Sequence, residues 1–335
     1  MRVPLPAAMI TMSSIVMLML MPLSLLPAAT IKLRRIIGLA LLLLLVAGCS
    51  MVRLAYDQAP NLVYWWIDGY VDVSGEQTPP LRDAIDRWFA WHRHTQLPDY
   101  ASLLVRAQRE VLEPTTPAAM CAWQAEVERR LDVAIEGALP AAAELMLGLA
   151  PEQLQHVERR MAKASGEMRA DYLQANPAER KAKSLERTAE RFEMLYGRID
   201  AAQRERLAAL LAASSFDAER WLAERRTRHR EMLHAMTLAS TAARSGADRN
   251  AALQQAQAAV RVIAERSARS PRTDYRAYQQ RLTQDNCALA ASMHNAMSPA
   301  QRQAARAKLK GWEDDLRTLI AVAPSGGNNN GSSSR

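Results

Sequence analysis

The chain offers three thiols and six imidazoles as its reactive groups, alongside many carboxylates. Cys49 has the most distinctive setting. It closes the apolar run Leu41-Leu-Leu-Leu-Leu-Val46, follows the small residues Ala47 and Gly48, and has Lys32, Arg34 and Arg35 upstream. A basic flank, an apolar core over Ile36–Val46 and small residues beside a cut follow one another in the order of a secretory signal. The core is 11 residues long, and a membrane span needs about 20, so the segment reads as a cleaved signal rather than a transmembrane anchor. The remaining groups are dispersed. His92 and His94 stand at i, i+2 and diverge on a helix, while His229 and His234 stand at i, i+5, a poor spacing for sharing a metal. His156, His229, His234 and His294 read as exposed helix residues, and Glu313-Asp314-Asp315 reads as a solvated face. No zinc-protease, nucleophile-elbow, Walker or dinucleotide pattern occurs. The expectation is a protein that is not an enzyme, with no metal and no cofactor. Carboxylate pairs acting on peptidoglycan are the distant alternative.

Val46-Ala-Gly-Cys49 resembles the bacterial lipobox. That resemblance implies a diacylglycerol on the Cys49 thiol, cleavage just before it, and acylation (typically with palmitate) of the new amine. It implies a lipid-anchored lipoprotein of a Gram-negative envelope. Ser50 stands where inner-membrane lipoproteins carry Asp, which implies the periplasmic face of the outer membrane. The chain then divides into a signal peptide over 1–48, a lipidated tether over 49–60, an all-helical domain over 61–323 and a Gly/Asn/Ser-rich tail over 324–335 expected to be disordered. After Arg2 no charge occurs before Lys32, which suggests a true start at Met21. That start gives a 28-residue signal, inside the usual range of roughly 15–30.

Cleavage leaves 287 residues, enough for a substantial core. The 43 Lys and Arg against 35 Asp and Glu give +8, and four of those cations precede Cys49, leaving +4 on the mature chain. So mild a bias does not suggest a nucleic-acid partner, which would call for a concentrated basic face. Cys121 and Cys287 remain in an exported, oxidising compartment, where they form either a disulfide or two separate buried thiols.

Alanine is abundant, glycine scarce, and no period-2 strand is found, so the fold class is all-α, an elongated bundle of about ten helices without sheet. The first helix is expected over Leu62–Tyr70, with Val63, Trp66, Ile67 and Tyr70 on one face. Further helices follow, among them Pro80–His94, Pro117–Gly137 with a separate piece from Pro140, and Pro299–Val322. Nine of the eighteen aromatic residues lie between Tyr56 and Tyr100, which makes them core for the most part; Trp65 stays open between core and a membrane-surface contact. Tyr70, Trp88, Trp91, His92 and Arg93 are the candidate polar and aromatic cluster, read as structural in preference to a ligand pocket. His92 is placed to stack on Trp88 or bond a neighbouring helix, and Arg93 to pair with Asp68 or Asp72.

One short pattern recurs as Val73-Ser-Gly-Glu-Gln77, Leu149-Ala-Pro-Glu-Gln153, Ile199-Asp-Ala-Ala-Gln203 and Met297-Ser-Pro-Ala-Gln301. Each copy reads as a capping box in which the glutamine reaches back to the N-cap amide. The pattern is similar to the Leu-Thr-x-x-Gln motif of Spy-type periplasmic stress chaperones, over about five residues per copy. A broader resemblance rests on the lipobox, Tyr64-Trp-Trp-Ile-Asp-Gly-Tyr70, Gln77, Trp88, Trp91-His92-Arg93 and Leu97-Pro98-x-Tyr100. Together these resemble an uncharacterised family of proteobacterial lipoproteins. The resemblance implies an all-helical, lipid-anchored envelope protein and supplies no catalytic residues. The functional expectation is a non-catalytic scaffold or assembly factor binding envelope proteins, with a Spy-like chaperone as the alternative.

Overall fold

The computed structural model describes residues 51–321, so Cys49, the signal segment over 1–48 and the tail over 324–335 lie outside the described residues. Eleven helices follow one another among those residues, with no strand. They are α1 (Met51–Val71), α2 (Thr78–Thr95), α3 (Leu97–Glu110), α4 (Pro117–Leu147), α5 (Pro151–Tyr172), α6 (Pro177–Tyr196), α7 (Ala201–Ala213), α8 (Ala218–Arg244), α9 (Arg249–Ala268), α10 (Thr273–Asn295) and α11 (Pro299–Ala321). Prolines at the first turns of α2, α3, α4, α5 and α6 start helices where a missing N–H costs nothing.

Two boundaries differ from the expected ones. The stretch assigned to a tether is helical from Met51. Ala55, Ala59 and Tyr64 are buried in α1, and Val52 and Tyr56 pack on Leu97, Ala101, Leu316 and Leu319. The apolar stripe therefore begins a full two turns upstream of Leu62, and its packing outweighs the missing hydrogen bond of Pro60 inside the helix. Likewise Pro140 does not open a new helix but sits inside the 31-residue α4. Leu139, Ala143, Met146 and Leu147 carry one buried face across it.

α4 is the central strut. It packs on α2, α8, α9 and α10, while α11 lies along α3 and also touches α1 and α6. One core gathers Phe192 and Tyr196 of α6, Leu207 of α7, Met293 of α10 and Leu309 of α11. A second joins Val71 to Leu154, Val157 and Met161 of α5, and a third packs Ala143 and Met146 of α4 on Ala252 and Ala256 of α9.

The four glutamine motifs bind these parts together in pairs. Within each copy the side-chain oxygen accepts from the backbone N–H three residues earlier: Ser74, Ala150, Asp200 and Ser298, at 2.8–3.0 Å. The side-chain NH2 groups then cross over. Gln77 donates to the Gly148 carbonyl and Gln153 to the Asp72 carbonyl, both at 2.8 Å. Gln203 donates to the Ala296 carbonyl and Gln301 to the Arg198 carbonyl, both at 2.9 Å. In every case the acceptor is the residue immediately before the partner motif. The paired amides also bond each other, so each clasp relates two helix starts by local pseudo-two-fold symmetry. Asp72 takes φ +59°, a left-handed conformation that turns its carbonyl out of α1, and the Asp68 side chain caps the next N–H.

Candidate functional site

The Trp-His-Arg segment lies on α2, where α1 returns antiparallel to it. His92 is buried, stacks on Trp88 with ring centroids 4.7 Å apart, and has Nδ1 3.0 Å from the Tyr56 hydroxyl. Tyr100 meets it edge-on. Burial drives the His92 pKa down to about 4 and pushes Tyr56 up to about 12, so both are neutral near pH 7. Trp88 donates its ring N–H to the Ala134 carbonyl of α4 at 3.0 Å. The expected stacking and inter-helix bond are thus both present, and they lock α1, α2 and α4 together.

Two details of that cluster are corrected. Tyr70 does not join it. It lies at the far end of α1 beside Trp66, under the Arg160 guanidinium and against the Leu149–Leu154 core. Arg93 pairs with Asp57 at 3.2 Å rather than with Asp68 or Asp72. In an antiparallel helix hairpin, residues near the turn face residues near the turn. Asp68 and Asp72 border the turn, whereas Arg93 is at the open end.

Cys121 of α4 and Cys287 of α10 form a disulfide, with Cα atoms 5.3 Å apart across a separation of 166 residues. Of the two arrangements open in the sequence, the structure has the bridge.

Three polar groups read as solvated are in fact buried. His294 is 2% exposed; its Nε2 donates to the Glu113 carbonyl and its Nδ1 accepts from the Tyr196 hydroxyl, both at 2.7 Å. Burial lowers its pKa and raises that of Tyr196. The signal was available: Cys287, Ala290, Ala291 and His294 form one helical stripe, and small residues on it let helices approach closely. Glu313 and Asp315 are also buried. Glu313 accepts from Gln108 at 2.7 Å and Arg317 at 2.6 Å, while Asp315 pairs with Arg53 at 3.2 Å. His229 is half-buried, its pKa lowered to about 4 by burial and by Arg225 and Arg228. His156 is half-buried too, near the Gly69 carbonyl, and only His234 of the four is exposed.

Glu224 was not singled out in the sequence. It is buried on α8, receives a forked pair of bonds from Arg272 at 2.7 and 2.5 Å, and accepts from the Ser270 hydroxyl at 2.8 Å. Arg272 also reaches Glu231 at 2.8 Å. Burial opposes the Glu224 charge, but these donors outweigh it and hold the carboxyl below its usual pKa, so the group is a fixed ion-pair lock. Among the described residues no group of three His, Cys, Asp or Glu side chains is arranged to hold a metal.

Beside that lock lies a groove of about 480 Å³ between α8 and α9. Leu238, Ala242, Ala259 and Val262 line its apolar part, and Arg228, Glu231 and Arg266 its charged end. Leu238 and Val262 remain 58% and 40% exposed, a large apolar display for such side chains.

Residues 69–259 match a family of unknown function, DUF6279. The chain belongs to that family. The match covers more than half of the chain and includes Trp88, His92, Arg93 and the first clasp of the DUF6279 protein. No curated protein and no solved structure matches it.

Proposed function

We propose that this DUF6279 protein is a lipid-anchored envelope lipoprotein that binds other proteins without catalysis, through the groove between α8 and α9. The groove carries the reading. Its apolar walls are uncovered, its volume lies in the range that accepts a side-chain cluster or a short segment, and its charged end is held by Glu224–Arg272 and Glu231–Arg272 pairs. An apolar segment with a polar terminus fits that gradient. Anchorage through Cys49 at the periplasmic face of the outer membrane rests on the lipobox resemblance and on Ser50. Among the described residues no helix is long and apolar enough to cross a membrane.

A photo-crosslinking residue at position 238, in cells, tests the binding reading. One or two reproducible envelope proteins should be captured there, absent from a control at exposed Glu205 and lost in Val262→Asp. Identical captures at both positions would refute it. The groove mixes apolar and charged groups on an open surface, which also suits the second reading, a Spy-like chaperone. A broad client population at position 238, with suppression of client aggregation by the pure protein, would favour that instead. Release of peptidoglycan fragments would overturn both.

A further inference from the structure

α1 presents an uncovered face on the side away from the core. Of six large apolar side chains exposed among the described residues, three belong to this helix: Leu54 at 51%, Trp65 at 60% and Trp66 at 53%. Leu54 and Trp65 are eleven residues apart, which at about 3.6 residues per turn brings them back to the same side of the helix. Gln58 and Asn61 lie on that line between them, uncharged. All three charges of α1 are engaged elsewhere. Arg53 pairs with Asp315, Asp57 with Arg93, and Asp68 accepts from the Val73 N–H. That face bears Leu54 and Trp65 with amides between them, Trp66 stands about 100° to one side, and the engaged Asp57 and Asp68 lie along the other border, an amphipathic aromatic composition that suits the headgroup level of a bilayer.

Chain length fixes the occupant. Cys49 stands two residues before Met51, the first residue of α1. An acylated Cys49 places the start of α1 at the lipid surface with no slack for a long spacer. A helix standing upright from that point would carry Trp65 about 20 Å above the surface, at about 1.5 Å per residue. One lying flat brings Leu54 and Trp65 into the interface together, with Trp66, about 100° further round the helix, at its edge.

We infer that α1 lies on the membrane surface, with Leu54 and Trp65 inserted at the lipid headgroups and Trp66 at the edge, so that the anchor fixes the orientation of the whole bundle and not only its location. The inference rests on the lipid anchor at Cys49, and the test separates the two. The mature protein is reconstituted into vesicles of phosphatidylethanolamine and phosphatidylglycerol carrying acyl chains brominated near the headgroup. Mass measurement of the N-terminal peptide reports lipidation independently. Tryptophan fluorescence of the wild type should be quenched. The quenching should be lost in Trp65→Phe/Trp66→Phe and retained in Trp312→Phe, whose ring is half-buried against the Phe192 core. Unchanged circular dichroism and melting of the double variant show that it folds. A lipidated protein whose quenching does not depend on Trp65 and Trp66 would overturn the inference and leave the anchor standing. If Cys49 carries no lipid, the same vesicles are mixed with the protein as purified; quenching through Trp65 and Trp66 would still support docking, and none would overturn it. A change of sedimentation in the double variant without any change in quenching would assign the face to a protein contact and overturn it as well.

Discussion

Gln203 and Gln301, 98 residues apart, donate to each other's side-chain oxygen at 2.8 and 3.0 Å, and each also donates to the carbonyl that precedes the other's motif. Gln77 and Gln153 repeat the arrangement. A glutamine here does two jobs. Its oxygen completes a helix cap, and its NH2 group satisfies a backbone carbonyl that the end of another helix leaves open.

Truncating Gln203 takes the donor from the Ala296 carbonyl and the acceptor from the Asp200 N–H, and removes both amide–amide bonds to Gln301 in a partly buried site. Gln203→Ala should therefore cost about 1–3 kcal/mol. Gln301→Ala, in the more exposed position, should fall at the low end of that range. The double variant should cost less than the sum of the two, with a coupling of about 1 kcal/mol. Urea unfolding of the four proteins in a double-mutant cycle measures it. Strict additivity would mean that the amides act only as separate caps.

The helices were legible in the sequence because an apolar stripe at helical spacing fixes both the element and its buried face. The other three glutamine caps were legible for the same local reason, whereas at the first copy the Ser74–Gln77 bonds close a turn ahead of the helix and Gln77 itself is the N-cap of α2. What the local pattern could not carry is which helix starts meet. Gln77 could have paired with any of the other three copies, and only the packing of α5 beside α1 and of α11 beside α6 selects partners. His294 and Asp315 were misread because a charged or polar type was given more weight than its place on a buried stripe. The tether expected over 49–60 is helical from Met51, because the buried stripe there runs through small alanines at 55 and 59 that carry little apolar signal. Pro60 forfeits one backbone bond, and the burial of Ala55, Ala59 and their neighbours outweighs that loss. Cys121 and Cys287 were left undecided because pairing depends on α4 and α10 being adjacent.

Breaking the Cys121–Cys287 bond should lower stability substantially. It closes a loop of 166 residues, for which chain entropy gives about 5 kcal/mol, with measured effects more often about 2–5. The two helices also keep their other contacts, so the double serine variant should remain helical and melt at a lower temperature. Circular dichroism melts of that variant, and of the wild type with and without reductant, check this. Equal melting would mean that the bridge closes nothing the packing had not already fixed.

Acid should weaken the fold through its buried histidines. His92 has a folded pKa of about 4 against an ordinary 6.5. Between those values the unfolded chain takes up a proton that the folded chain refuses, so stability falls as pH drops from 6.5 toward 4 and is flat above. The His92 contribution is on the order of 3 kcal/mol, from about 1.4 kcal/mol per pKa unit. His294 shifts in the same direction, as does the half-buried His229. Urea midpoints between pH 7.5 and 4.5 should decline in the wild type and decline less in His92→Gln. A midpoint that rises on acidification would contradict the burial of neutral rings.

Gly137 and Trp91 set the spacing between α2 and α4. A Cβ built at Gly137 would stand 2.7 Å from Trp91 Cζ3 and 2.8 Å from Cη2, inside contact distance. Helix propensity alone favours Gly137→Ala by about 1 kcal/mol, because alanine loses less backbone freedom than glycine. The clash acts the other way. Trp91 is half-buried and next to His92, whose stacking on Trp88 and approach to Tyr56 hold this part of α2 in register, so the ring can yield only by disturbing that cluster. Overpacking of this kind costs about 1–3 kcal/mol, so the net effect should be destabilising despite the propensity gain. Trp91→Leu removes the ring and with it the objection. In that background Gly137→Ala should become neutral or stabilising, and this change of sign in a urea-unfolding cycle separates a steric wedge from a general intolerance of change in α4. A stabilising Gly137→Ala in the wild-type background would show that the Trp91 ring moves aside freely and does not set the distance between the two helices.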